Sequence, residues 1–275
     1  MGSLCSHVIT RFPEPARSQD VGGLHGLQIL IAWACGRLVG PAKIGCMIKG
    51  VMFDFSGTLF RIESAAQWLH AVATKAGLDV PEGELDACVS RLEEFGAQPG
   101  GVPPRTVPPH LEALWRERDL TAAQHRAAFT ALAREAQLPA ADLAEALYER
   151  SQTPGAWLPY PDTGETLRAL RGRGIPVAVV SNIGWDMRPV FRHHGVDDLV
   201  DAYILSFERG VKKPDPGIFQ VACDKLGVAP GDALMVGDEP VADVGAATLG
   251  CRVHLVDPLP VDQRPGALAE VLQFL

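Results

Sequence analysis

Five short apolar runs separated by helical patterns restrict this chain more than any other feature. The runs are residues 49–55, 175–181, 202–206, 233–238 and 251–256. Within them Val51-Met52-Phe53, Val177-Ala178-Val179-Val180 and Leu234-Met235-Val236 are apolar at every position rather than at alternate ones. A strand with apolar side chains on both sides is buried on both faces, which is the condition of a parallel sheet covered by helices. Helical patterns at 162–173, 186–194, 215–227 and 241–249 lie before and between the later runs. Strands that alternate with helices in this way fold as α/β layers.

The runs end in polar groups. The first delivers Asp54, followed by Phe55-Ser56-Gly57-Thr58. The second ends in Ser181-Asn182, and the fourth in Gly237-Asp238, with Glu239 and Asp243 close behind. After the third, Lys212-Lys213-Pro214-Asp215-Pro216 opens a helix. A carboxylate at the end of a buried strand is poor core design. In open α/β sheets, however, ligands bind outside the carboxyl ends of the strands. Gathered there, Asp54, Asp238, Glu239 and Asp243 would repel one another, and a metal cation is the natural remedy. Each also has a duller reading. Asp238 and Asp243 suit the start of the following helix, Ser181 a solvated strand end, and Lys213 the surface, with Lys212 the more exposed of the two lysines. His193-His194 with Arg192 closes a helix before Gly195, where cations are favoured. Trp185 and Asp186 either line a pocket or begin a helix.

About a hundred residues separate the first two strands, far more than one crossover needs. They carry helical patterns at 63–76, 82–95, 110–118, 121–136 and 139–150. The stretch 98–109 is too rich in Pro and Gly for a helix interior. The chain thus divides into an N-terminal extension over 1–46, a core made of 47–60 and 158–275, and a helical insertion over 61–157. The extension reads as dispensable and poorly ordered, with Met47 as an alternative start. Its one apolar run, residues 27–35, is too short to span a bilayer.

Composition narrows the classes. The net charge of −8 among 275 residues argues against a nucleic-acid binder, which would carry a basic patch. Six scattered cysteines without a CxxC pair suit free thiols in a reducing cytoplasm rather than disulfides or a zinc site.

Taken together, Asp54-Phe55-Ser56-Gly57-Thr58, Val180-Ser181-Asn182, Lys213-Pro214-Asp215-Pro216 and Val236-Gly237-Asp238 with Asp243 resemble the haloacid dehalogenase (HAD) superfamily, in its branch with a helical cap after the first strand. The resemblance spans roughly residues 48–258. It implies a Rossmann-like core with helices on both faces, a cap over 61–157, and Mg²⁺-dependent hydrolysis of a small phosphorylated substrate. Asp54 would be the nucleophile, forming an aspartyl-phosphate. Asp54, Asp238, Asp243 and the carbonyl of Ser56 would hold Mg²⁺. Lys213, Ser181, Asn182 and Thr58 would address the phosphate. No membrane or nucleic-acid partner is expected, and the chain would act as a monomer or homodimer.

One residue departs from that pattern. Phosphatases of this family usually carry Asp two residues after the nucleophile, as general acid and base; this chain has Ser56. Such a group is worth about 10²- to 10⁴-fold in rate. Three outcomes are open: substrates with good leaving groups, a substitute such as Glu239 or a cap carboxylate, or a protein that binds phosphate compounds without turnover. Haloacid dehalogenation is the alternative chemistry, although that branch commonly has Tyr at the place of Ser56 and uses no metal. Phosphonate hydrolysis would need a cap lysine, and Lys75 is the only one. The cap would select the rest of the substrate, and residues such as Trp68, Arg61, Arg105 and Trp115 are candidates to contribute, unranked by the sequence.

Overall fold

The computed structural model describes Leu38–Val39 and residues 47–264 and 266–275. Its strands are β1 (Leu38–Val39), β2 (Gly50–Phe53), β3 (Phe60–Ile62), β4 (Trp157–Pro159), β5 (Val177–Ser181), β6 (Ala202–Leu205), β7 (Ala233–Gly237) and β8 (Arg252–Leu255). Its α-helices are α1 (Ala65–Lys75), α2 (Glu82–Glu94), α3 (Glu112–Glu117), α4 (Ala122–Glu135), α5 (Leu143–Ser151), α6 (Thr163–Gly172), α7 (Arg188–His193), α8 (Ser206–Arg209) and α9 (Pro216–Leu226). The main sheet runs β1-β8-β7-β2-β5-β6. Its five longer strands are parallel, and β1 adds an antiparallel edge on β8. Thus β2 is central, with Phe53 in register with both Val179 and Val236. The residue after Phe53 is Asp54, so the acid emerges between two strand ends.

Period-two alternation divides the sheet's side chains between two cores. Val51, Phe53, Val179 and Val236 pack on one face with Leu167 and Leu170 of α6 and Phe191 of α7. Met52, Ala178, Val180 and Met235 pack on the other with Ile218 and Phe219 of α9. Helices therefore cover both faces, as the uninterrupted apolar runs require. Among the described residues, no helix is long and apolar enough to cross a membrane.

Helices α1 to α5 form a module with its own apolar core, centred on Trp68, Leu69, Leu92, Leu132 and Leu147. Ser64 starts α1 with a capping box to Gln67, and Thr121 caps α4 through the Gln124 amide. The chain leaves the sheet and returns through a two-stranded antiparallel stem, with Arg61 opposite Leu158. Glu63 and Arg150 close the stem with two charge-assisted hydrogen bonds of 2.7 and 2.6 Å.

Sequence and structure differ in places. The predicted helix at 110–118 is a 3-10 turn, Pro109–Leu111, followed by α3, and the one at 241–249 is a 3-10 helix, Asp243–Leu249. The pattern at 139–150 becomes helical only from Leu143. The sequence gives no sign of the stem strands, of α8 or of the final 3-10 helix Leu268–Phe274. Three-residue strands paired across 95 to 99 positions carry no readable period. The extension assigned to 1–46 lies outside the described residues except for Leu38–Val39, which joins the sheet.

Trp68 is wholly buried, and its indole N–H donates to the Leu147 carbonyl at 2.9 Å. Replacing it with alanine leaves a large cavity and an orphaned carbonyl. We expect Trp68→Ala to cost about 3–5 kcal/mol, read by urea unfolding; a loss below about 1 kcal/mol would contradict the packing described.

Candidate active site

The loop after β2 is shaped to deliver Asp54. Its backbone N–H still donates to Val236 across the sheet at 2.9 Å, so Asp54 is held as the last rung of the ladder. The chain then turns sharply, with Gly57 N–H donating to Phe60 O at 2.7 Å. Gly57 has φ of +80°, and a Cβ there would lie 2.3 Å from an Asp238 oxygen. Only glycine allows both the turn and the close approach. Arg264 anchors the turn from outside the sheet. Its guanidinium donates to the carbonyls of Gly57 and Thr58 at 2.6 and 2.5 Å and lies 3.1 Å from the centre of the Tyr160 ring. No sequence signal marks Arg264; it stands alone in a polar stretch.

The polar strand ends converge. Lys213 is buried, with its ammonium 2.9 Å from Asp54 Oδ1 and 2.6 Å from Asp243 Oδ1. Asp243 Oδ2 accepts the Glu239 N–H at 2.9 Å. Thr58 donates its hydroxyl to Asp238 Oδ1 at 3.1 Å. Oxygens of Asp54, Asp238 and Asp243 lie within 4.8 Å of one another. Burial alone would lower the Lys213 pKa, but the two carboxylates beside it outweigh that and raise it. Burial, then the charges of Asp54 and Asp243, push Asp238 well above the usual carboxyl range. Burial also raises Asp243, to about 6, against the pull of Lys213. Three acids crowded beside one ammonium leave excess negative charge, which suits a hard divalent cation with oxygen ligands.

A cavity of about 590 Å³ opens over this cluster, between the strand ends and the helical module. Asp54, Ser56, Ser181, Asn182, Lys213 and Asp238 line it. Ser181 is buried, and its hydroxyl makes no hydrogen bond among the described residues, so it is available to a ligand. Thr58 and Asp243 lie beneath the cavity and are fully buried. The structure gives the Thr58 hydroxyl to Asp238. Asn182 accepts from the Lys213 N–H at 2.7 Å and donates to the Lys213 carbonyl at 2.9 Å, so its side chain clamps the lysine's backbone. The Ser56 hydroxyl donates to the Gly100 carbonyl of the module at 3.2 Å.

Other candidates separate cleanly. Trp185 lines the cavity, whereas Asp186 pairs with Arg188 at the start of α7. Trp115 and Arg61 line it too, but Trp68 is interior to the module and Arg105 is exposed away from it. Lys75 is exposed in the last turn of α1, not in the cavity. Lys212 is half-buried and donates to the Arg116 carbonyl, so it is a tether rather than a free surface lysine.

The sheet order and this acidic cleft define an α/β protein with its site at the carboxyl ends of the central strands. The haloacid dehalogenase-like hydrolase family model matches residues 48–249, and the chain belongs to that family. A phosphoserine phosphatase of Thermus thermophilus is 35% identical over 228 residues, covering 76% of this chain and 89% of that protein. A glyceraldehyde 3-phosphate phosphatase of Methanopyrus kandleri is 32% identical over 209 residues, covering 73% and 80%. Among solved structures, L-2-haloacid dehalogenase from Xanthobacter autotrophicus has a TM-score of 0.56 at 24% identity, over 82% of this chain and 83% of that one. That last likeness is one of fold.

The raised Asp243 carboxyl has a consequence for stability. A group that holds its proton more tightly folded than unfolded contributes stability below the ordinary range near about 4. That contribution disappears as pH rises through about 6. In EDTA, unfolding measured from pH 4 to 7 should show the wild type losing stability relative to Asp243→Asn, which has no proton to shed. The opposite trend would refute the assignment.

Proposed function

We propose that this hydrolase is a Mg²⁺-dependent phosphatase that acts on a small phosphorylated metabolite through an aspartyl-phosphate. The observation that carries this reading is the Lys213 ammonium 2.9 Å from Asp54, beside carboxylates within 4.8 Å of one another. Dehalogenation at carbon needs no ion and gives no reason to gather three acids within 4.8 Å of one another. The phosphatase relatives act on small phosphorylated metabolites, and a cavity of about 590 Å³ suits a substrate of that size.

The chemistry follows from the placements. Asp54 is fixed at the strand end, so its carboxylate is presented in one direction for in-line attack on phosphorus. Lys213 offsets the repulsion between that carboxylate and a phosphate dianion. The unpaired Ser181 hydroxyl donates to a phosphoryl oxygen. Asn182 acts one step back, by holding the Lys213 backbone. Asp54, Asp238, Asp243 and the Ser56 carbonyl would hold the Mg²⁺, which when bound supplies positive charge to the transferring group. The helical module, closing over the cluster, would act as the cap that admits and selects the substrate.

The test is phosphate release from a panel of phosphate esters and acyl phosphates, with Mg²⁺ or with EDTA. Release should require the ion, and Asp54→Asn should abolish it by more than about a thousandfold. Halide release from 2-haloacids in EDTA would instead establish the dehalogenase, and silence on every compound would leave a binding protein.

A further inference from the structure

A phosphatase acting through Asp54 leaves one proton without a carrier. An alkoxide leaving group must be protonated, and Ser56 is too weak an acid to do it. Among the described residues, four carboxylates line the cavity: Asp54, Asp119, Asp238 and Glu239. Asp54 and Asp238 belong to the cluster around the phosphorus site. Glu239 is exposed and folds back to accept the Val241 N–H at 3.0 Å. Asp119 remains, and it comes from the turn between α3 and α4 of the module.

Asp119 is 3% exposed and firmly placed. The Ser206 hydroxyl donates to its backbone carbonyl at 2.6 Å, and the Ser206 oxygen accepts the Ile183 N–H at 2.9 Å. Ser206 follows Leu205, the register partner of Ser181. Asp119 is therefore tied to the strand ends that carry the phosphate-facing hydroxyl. Two further ties flank it. Lys212, the neighbour of Lys213, donates to Arg116. His125 packs on Gly184 so closely that a Cβ there would lie 2.0 Å from the His125 Cβ. This stretch of the module is pinned to the β5–β6 side of the cavity.

The side chain is suited to carry a proton. Its carboxylate accepts no hydrogen bond among the described residues. Arg118 stands 3.3 Å from Oδ2, and His125 Nε2 lies 3.9 Å from Oδ1. Arg118 is also engaged elsewhere, 3.7 Å over the Trp115 ring and donating to the Trp115 carbonyl. Burial drives the His125 pKa down to about 3, so the ring is neutral, with Nδ1 2.8 Å from the Tyr148 hydroxyl. Burial raises the Asp119 pKa against the pull of Arg118, Lys212 and Lys213, and the Asp54 charge adds to the rise.

We propose that Asp119, supplied by the helical module, is the general acid and base that position 56 does not provide, a role that rests on the phosphatase reading. In the first half-reaction Asp54 bonds to phosphorus, the ester P–O bond breaks, and Asp119 gives its proton to the departing oxygen. In the second, Asp119 takes a proton from the attacking water. Inorganic phosphate leaves, the Asp54 carboxylate is restored, and Asp119 is again protonated.

The experiment compares p-nitrophenyl phosphate, whose leaving group departs unprotonated, with glycerol phosphate, whose leaving group does not. The full chain with Mg²⁺ is assayed as wild type, Asp119→Asn and Asp119→Glu. For Asp119→Asn, kcat on the alkyl ester should fall about 10²- to 10⁴-fold and on the aryl ester by less than about tenfold. Aryl turnover in the same sample reports that the variant is folded. Asp119→Glu, which keeps an acid, should recover at least about tenfold of the alkyl rate lost in the Asn variant. An equal fall on both esters, or none on the alkyl ester, overturns the role of Asp119 and leaves the phosphatase standing. A wild type inactive on both overturns the two together.

Discussion

The ammonium of Lys213 is the contact on which the rest of the cleft depends. Without it, Asp54 and Asp243 would face each other as buried anions, a costly arrangement. With it, the backbone must bring one lysine to Asp54 after β2 and Asp243 at the start of the 3-10 helix after β7, and much of the local structure serves that end. Asn182 clamps the lysine's peptide on both sides. The Glu239 amide fixes the second oxygen of Asp243. Thr58 orients Asp238, and Arg264 holds the turn that carries Thr58. The acids stay close because positive charge and hydrogen bonds surround them; burial, and after it the neighbouring carboxylate charge, raises the pKa values of Asp238 and Asp243.

The helical module is more than an appendage with its own core. Its stem is two strands of three residues, latched by Glu63 and Arg150. Its far side returns to the sheet through Ser206, Lys212 and Gly184. Gly100 reaches Ser56 at the cavity floor. An aspartate at position 56 would set a carboxylate against that carbonyl oxygen, so the serine and the path of the module's Pro- and Gly-rich segment are matched.

Much of this is legible in the chain. Asp54, Ser181, Lys213 and Asp238 each end a buried strand or open a helix, and strand order then brings them together. The apolar runs reveal the central sheet for the same reason, since continuous burial leaves a continuous pattern. What escapes the sequence depends on contacts between distant segments. The stem strands pair residues 95 to 99 positions apart, and Arg264 reaches back about 200 residues to the turn after Asp54. Asn182 reads as a phosphate ligand because its partner, a backbone, leaves no trace in composition. Asp119 lies in a charged turn, and the Ser206 contact that holds it comes from 87 positions further along the chain.

Among the described residues, Trp115, Trp157 and Trp185 stand in the wall of the cavity; Phe55 packs against Trp157 and Trp185, and the Arg118 guanidinium lies over the Trp115 ring. Indole emission responds to the polarity and charge around the ring. A charged ligand that displaces water from these rings is therefore expected to alter the intrinsic fluorescence of the chain, which would make occupancy visible in the unlabelled protein without any turnover.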